Sequence, residues 1–294
     1  MNSPIQKRYD FVYLFDWTDS NPNGDPDSAN APRFDPETFQ GLVTDVCLKR
    51  KIRDYIAIRQ NGLPGFGIYI MAGQALEKSQ EKPYVLLNLT KKTKERKPIE
   101  EARDWMCQNF FDVRTFGAVM STTDFNCGQV RGPVQLGFAR SIDRVFSTEH
   151  SITRQVQTTV KDFESKGGMG TFGQKHTVAY GLYRVHGFVN AHFAAQTGFG
   201  EQDLDLLWKA LANMFDVDRS AARCGMAPRG LFVFEHASAL GEFPAHLLFD
   251  RIKISKRESV EIPRSIGDYI IDVDSKDLPA GVRLLQPFGA AAGA

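Results

Sequence analysis

An α+β fold, with strands and helices following one another as βαββαβ, is what this sequence predicts. Segments of two-residue apolar period bracket two segments of three- to four-residue period, in the order strand, helix, strand, strand, helix, strand. Two long polar excursions interrupt that order, roughly residues 60 to 130 and 144 to 177, and must hang from it as insertions. With 294 residues and 42% hydrophobic content, the chain can bury a sizeable core.

The first strand is "YDFVYLFDW", Tyr9 to Trp17, whose odd positions are all aromatic while Val12 and Leu14 lie between them. Such a run is buried on both faces. The chain to Gly41 is rich in Pro, Gly, Asn and Asp and reads as loop. "LVTDVCLKRKIRDYIAI", Leu42 to Ile58, lacks Gly and Pro and places Leu42, Val46, Ile52, Tyr55 and Ile56 at helical steps, so the first helix is expected there. "PVQLGFARSI", Pro133 to Ile142, alternates Val134, Leu136, Phe138, Arg140 and Ile142 against smaller residues, and is expected as one strand. "VAYGLYRVHGFVNAHF", Val178 to Phe193, is expected as the third, with Tyr183, Val185, Val189 and Phe193 on its inner face. "EQDLDLLWKALANMF", Glu201 to Phe215, is an amphipathic helix, and "RGLFVFEH", Arg229 to His236, the fourth strand. The tail from Phe288 is expected to be disordered. This element order is the ferredoxin-like topology, which RNA-recognition motifs share.

Bulk properties narrow the function. Thirty-six basic residues against 35 acidic ones give a formal net charge of +1, so any surface for a polyanion must be local. The four cysteines lie far apart, without C-x-x-C pairs or histidines at zinc spacing, and read as reduced thiols of a cytoplasmic protein. No apolar run approaches the ~20 residues of a membrane span. No G-x-S-x-G, H-E-x-x-H or phosphate-binding Walker loop is present. The expectation is therefore a non-enzyme without metal or cofactor.

Three stretches invite chemistry. "DSNPNGDPDSAN", Asp19 to Asn30, imitates a calcium loop, but Asn30 stands where the bidentate Glu belongs and a strand precedes it. Turn dipeptides with Asx side chains bonded to their own backbone explain it better. "GGMGTFG" has a formal G-x-G-x-x-G without the strand–helix context of a dinucleotide site, and reads as a hairpin tip carrying Met169 and Phe172. On the first helix, Lys49 and Arg53 share a face and suit successive phosphates, while Asp45 is placed to pair with Lys49.

"NPNGDPDSANAPRFDPETFQGLVTDVCLKRKIRDY", with "DVRTFGAVM", "GPVQLGFARSIDRV", "GTFGQKHTVAYGLYRVHGFVNAHF" and "RGLFVFEH", closely resembles the backbone subunit of type I-C CRISPR surveillance complexes (Cascade), a CRISPR-associated RAMP-like family. The likeness runs from about residue 8 to residue 240. It implies a modified RNA-recognition-motif palm (8–58, 131–143, 178–240), a finger-like insertion (60–130), a thumb-like hairpin (144–177) and a C-terminal extension (241–294). It further implies a subunit that polymerises along guide crRNA and displays it to a target DNA strand. Other Cascade subunits and a recruited nuclease-helicase then act on the assembly. Carried onto matching positions, Lys49, Arg50 and Arg53 become the leading guide-backbone contacts. Asn21, Asn23, Arg33 and Arg131 follow, Met169 and Phe172 become a thumb wedge, and the lysine-rich run Lys91 to Lys97 faces incoming DNA. A competing reading makes the chain a metal-dependent ribonuclease in which Asp25 or Asp27 holds magnesium and cuts bound target RNA. A third is a self-associating scaffold that binds no nucleic acid.

Overall fold

A computed structural model describes residues 3–91, 95–154, 156–165 and 171–289. The first strand, β1 (Tyr9–Ser20), is the axis of the molecule, and almost every side chain in it is buried. Short strands β2 (Gly24–Asp25) and β3 (Ala31–Pro32) pair with each other in the following loop, and β4 (Gln40–Val43) precedes helix α1 (Asp45–Arg59). The helix therefore starts three residues later than the apolar pattern suggests. Leu42 and Val43 pair with a neighbouring strand, and Thr44 caps the helix by accepting the Cys47 N–H at 3.2 Å.

The insertion that follows holds α2 (Leu76–Leu86), α3 (Arg96–Asn109), α4 (Phe111–Phe116) and the paired strands β5 (Gly117–Val119) and β6 (Gln129–Arg131). It packs a small core of its own around Tyr69, Tyr84, Met106, Phe110, Met120 and Phe125. The segment expected as one strand is two, β7 (Val134–Leu136) and β8 (Ala139–Arg144). Leu136 faces Gly187 but Ser141 faces Tyr183, so one extra residue is inserted between them. That bulge inverts the alternation: Ala139 and Ser141 turn inward, while Phe138 and Arg140 are exposed.

Strand β9 (Ser147–Arg154), helix α5 (Val160–Ser165) and β10 (Thr171–Val189) complete the second excursion, with β9 paired to β10 from Thr171 opposite Arg154 to Val178 opposite Ser147. The expected third strand ends at Val189 instead of Phe193, because the Asn190 Oδ1 accepts the His192 and Phe193 N–H groups and caps α6 (Ala191–Thr197). Helix α7 (Glu201–Val217) and strand β11 (Met226–His236) lie where the sequence predicts. Helix α8 (Ala245–Phe249), the hairpin β12 (Ile252–Lys256) and β13 (Tyr269–Val273), and strand β14 (Val282–Gly289) close the chain. Phe288 and Gly289, expected in a disordered tail, pair with β11, and Phe288 packs edge-on against Tyr13. Residues 290–294 of that tail lie outside the described residues.

The main sheet runs β14–β11–β1–β10–β8–β4, each neighbouring pair antiparallel, with β7 and β9 also on β10. Stripped to β11–β1–β10–β8, this is the fourth–first–third–second strand order that a βαββαβ unit produces. Helices α1 and α7 cover one face, burying Leu48, Ile52, Leu207, Leu211 and Phe215 against Phe11, Tyr13, Phe15 and Trp17. On the opposite face Val12, Leu14, Phe232 and Phe234 are buried under Leu248, Phe249, Ile252 and Val282. Also on that face, the His186 ring stacks on Phe249 at 4.3 Å, and burial pushes its pKa down to about 4.

Candidate nucleic-acid interface

The loop from Asp19 to Gly41 is shaped by its own Asx side chains. Asp25 Oδ1 accepts the Asp27 N–H at 3.2 Å and starts a single 3₁₀ turn, Pro26–Ser28. The same carboxylate pairs with Arg33 at 3.2 Å. Ala29 and Asn30 then take left-handed backbone (φ 50° and 62°), and the Asn30 N–H returns to the Asp25 carbonyl. Gly24 lies against the Asn30 side chain so closely that a Cβ would be 1.9 Å from its Oδ1. The acidic loop is thus a folded turn in which Asp25 has structural partners. Among the described residues, no group of three or more His, Cys, Asp or Glu is placed to hold a metal ion.

Two of the loop's asparagines fix its shape and its place against α1. Asn23 Oδ1 accepts from both the N–H and the Oγ1–H of Thr44, at 2.9 and 3.0 Å, and so fixes the residue that caps α1. Asn21 donates through Nδ2 to the Asn30 carbonyl at 2.7 Å, while its Oδ1 is buried without a partner. Asn23→Ala removes both bonds to the cap and is expected to cost about 1 kcal/mol, the usual range for a lost helix cap. Urea denaturation checks this, and an unchanged midpoint would show that Thr44 holds its position unaided.

Asn21 and Asn23 border a cleft of about 180 Å³ that is also lined by Cys47, Arg50, Lys51 and Arg223. Three cations converge there on one carboxylate. Arg50 Nη2 and Arg223 Nε reach Asp218 at 3.1 and 3.2 Å, and the Lys51 ammonium bonds its Oδ2. Arg50 also pairs with Asp54, one turn along α1, at 2.5 Å. Lys51 is fully buried beneath the Trp17 and Phe215 rings, whereas the Arg50 and Arg223 side chains are 44% and 37% exposed. Burial alone would raise the Asp218 pKa, but Lys51, Arg50 and Arg223 together hold it below the ordinary carboxylate range. Three cations against Asp218 and Asp54 leave the rim positive, at the end of a cleft bordered by asparagines. That arrangement suits a phosphate group.

The residues expected at such a surface divide in the structure. Arg50 is at the rim. Lys49 pairs with Asp45 at 2.8 Å, as the helix spacing predicts, and its ammonium lies over the Phe116 ring. Arg53 shares that face but is turned inward: its side chain is 8% exposed, its Nε donates to Asp112 at 2.8 Å, and it too stacks over Phe116. Asp112 in turn accepts the Tyr69 and Ile70 N–H groups. Arg53 therefore fastens α1 to the insertion. Arg131 lies apart, on β6, exposed and stacked on Phe193 at 4.3 Å. Phe172, near the far end of the β9–β10 hairpin, is 79% exposed. Met169 lies outside the described residues, as do Lys92 and Lys94 of the lysine-rich run.

Lys51, Asp218 and Arg223 were not singled out by the sequence. The available signal was slight: a charged stretch, "DVDRSAAR", runs from the last turn of an amphipathic helix into the turn beyond it.

A curated relative, CRISPR-associated protein Cas7 of Haloferax volcanii, is 26% identical over 291 residues, covering 90% of this chain and 80% of its own. Among solved structures, a chain of "CRISPR RNA-guided surveillance complex, pre-nicking" is similar at TM-score 0.49 and 15% identity over 77% of this chain and 78% of that one. A chain of the type III-B Cmr-β complex bound to cognate target RNA is similar at TM-score 0.40 and 12% identity, over 77% and 61% of the two chains. The family model of CRISPR-associated protein Cas7 matches residues 7–274, nearly the whole described fold, and the chain belongs to that family.

Proposed function

We propose that this chain is a crRNA-binding backbone subunit of a type I-C CRISPR surveillance complex, without catalytic activity of its own. Copies of it polymerise head to tail along one guide and display it for pairing with target DNA. The observation that carries the reading is the convergence of Arg50, Lys51 and Arg223 beside Asn21 and Asn23, in a member of the Cas7 family. The grip is on phosphates. Arg50, Arg223, Lys49, Arg33 and Arg131 are its cations, while Arg53 positions α1.

The closed sheet supports a sequence-independent grip. A free-standing RNA-recognition motif stacks bases on aromatic side chains of its open sheet face. Here Val12, Leu14, Phe232 and Phe234 on that face are buried under the C-terminal elements, so β1 and β11 offer bases nothing to stack on. Residues 60–130 serve as fingers, 144–177 as a thumb with Phe172 as an apolar wedge, and the sheet with α1 and α7 as the palm. The partners are guide crRNA, further copies, other Cascade subunits, the target strand through the guide, and a nuclease-helicase recruited to the assembly in the cytoplasm. Among the described residues no helix is long and apolar enough to cross a membrane.

Purified chain is expected to carry RNA, seen as an absorbance ratio at 260 over 280 nm well above that of protein alone. After the RNA is stripped, binding of single-stranded RNA should be indifferent to sequence and fall steeply with salt. A stripped protein that binds no RNA at low salt, or that discriminates sharply between sequences, would overturn the proposal.

A further inference from the structure

The dipeptide Asn-Gly occurs at Asn23–Gly24 and again at Asn61–Gly62. It carries a reaction of its own. The backbone nitrogen that follows an asparagine can attack the side-chain amide carbon, and glycine, with no Cβ, leaves that nitrogen the easiest approach. The attack depends on how freely the two groups can meet, so the fold separates two sites that the dipeptide makes alike.

Asn23 is held. Its Oδ1 accepts the N–H and the Oγ1–H of Thr44, its carbonyl accepts the Arg33 N–H at 3.2 Å, and Gly24 is paired with Pro32 between β2 and β3. Gly24 also lies hard against the Asn30 side chain. Swinging the Asn23 amide onto the Gly24 nitrogen would break the bonds that fix the cap of α1. Asn61 is loose. It stands one residue past Gln60, which ends α1, in a turn closed by the bond from the Leu63 N–H to the Gln60 carbonyl at 3.0 Å. Asn61 and Gly62 are both exposed, and among the described residues neither the Asn61 side chain nor the Gly62 N–H has a hydrogen-bond partner. A Cβ at Gly62 would meet nothing within 4 Å, so no neighbouring group crowds the pair.

We propose that Asn61 is a site of spontaneous deamidation and backbone isomerisation, from which the fold protects Asn23. The Gly62 nitrogen bonds to Cγ of Asn61 and gives up its proton, the Cγ–Nδ2 bond breaks, and the amide leaves as ammonia. The five-membered succinimide that remains takes up one water. Opening at the side-chain carbonyl gives aspartate, and opening at the backbone carbonyl gives isoaspartate, whose chain runs through Cβ and Cγ. Either product sets a new carboxylate beside the C-terminal end of α1, the negative pole of that helix. Isoaspartate also lengthens by one carbon the connector that leads to Gly65, whose carbonyl accepts from Arg114 at 2.5 Å. The change falls on the link between α1 and the insertion, and it is independent of whether the chain binds RNA.

The test incubates full-length parent and Asn61→Gln, folded and in urea, at mildly alkaline pH. Peptide mapping by mass spectrometry follows both sites, and a protein isoaspartate methyltransferase counts isoaspartate. In the folded parent the Asn61 peptide should gain a single mass unit and split into two products, roughly tenfold or more faster than the Asn23 peptide. In urea, where the fold no longer distinguishes them, the two sites should convert at similar rates. Conversion should quicken as pH rises, because the Gly62 nitrogen must lose its proton to attack. Asn61→Gln, which would need a six-membered ring, should lack the more acidic species that the parent acquires on anion exchange. An Asn61 that stays intact in the folded parent over the time in which the unfolded chain converts would overturn the proposal. Equal conversion of Asn61 and Asn23 in the folded parent, or faster conversion of Asn23, would overturn it too, because the bonds to Thr44 would then give no protection.

Discussion

Asp218→Ala is expected to destabilise the chain by about 3–5 kcal/mol, the range for breaking a buried ion pair from one side. The reason is Lys51. Its side chain is fully buried between Trp17 and Phe215, and its ammonium bonds Asp218. Without the carboxylate, that fully buried cation loses the ion-pair partner it has among the described residues. Arg50 and Arg223 lose a partner too, but both reach solvent and contribute little to the loss. Adding Lys51→Met should recover much of the stability, because a buried pair replaced by apolar groups of similar size is close to neutral. The pH dependence has a definite sign. Asp218 is held below its unfolded value, so its contribution is complete above the ordinary carboxylate range and is lost as pH falls through the folded value. Parent and variant should therefore converge in acid. Urea denaturation across pH reads all three effects. A loss within about 0.5 kcal/mol at neutral pH would mean that Lys51 is not held as a buried cation.

How far the sequence disclosed this depended on whether local pattern or a distant partner decides the outcome. Strand β1, helix α7 and strand β11 were legible because their apolar periods are uninterrupted and their faces point into one core. The start of α1 was legible in principle, since Thr44 is a good cap residue, but the run Leu42–Val43 masked it. The bulge before β8 was not legible. The apolar pattern continues through Gly137, and only the bond from its N–H to the His186 carbonyl, with the pairings on either side, inverts the faces. The site divides the same way. Helical spacing correctly placed Lys49 and Arg53 on one face, but Phe116 and Asp112, far along the chain, turn that face inward. The cations left at the rim are Arg50, one step round the helix, and Arg223, from a turn without regular structure. A period reveals which residues share a face; it does not reveal what covers that face.

Arg50→Gln/Arg223→Gln is expected to weaken single-stranded RNA binding on the order of a hundredfold, for every sequence alike. The figure follows from two charge-assisted contacts to phosphate, each worth roughly tenfold or more. The slope of log affinity against log salt should fall by about 1.4, since about 0.7 is lost per phosphate contact on a single strand. Neutral glutamines are preferable to charge reversal here. Lys51 still neutralises Asp218 in the double variant, so the buried pair beneath the cleft survives and the fold with it. Arg53→Glu offers the contrast: it would set a carboxylate against Asp112 inside the joint between α1 and the insertion, and is expected to unfold that joint. Any RNA loss in that variant would report folding, which the thermal melt of the RNA-free chain would reveal. A double glutamine variant that melts like the parent and binds RNA with the parent's affinity and slope would sink the phosphate assignment. The three cations would then be a knot that joins α1 to the turn after α7, and the guide would have to run elsewhere on the molecule.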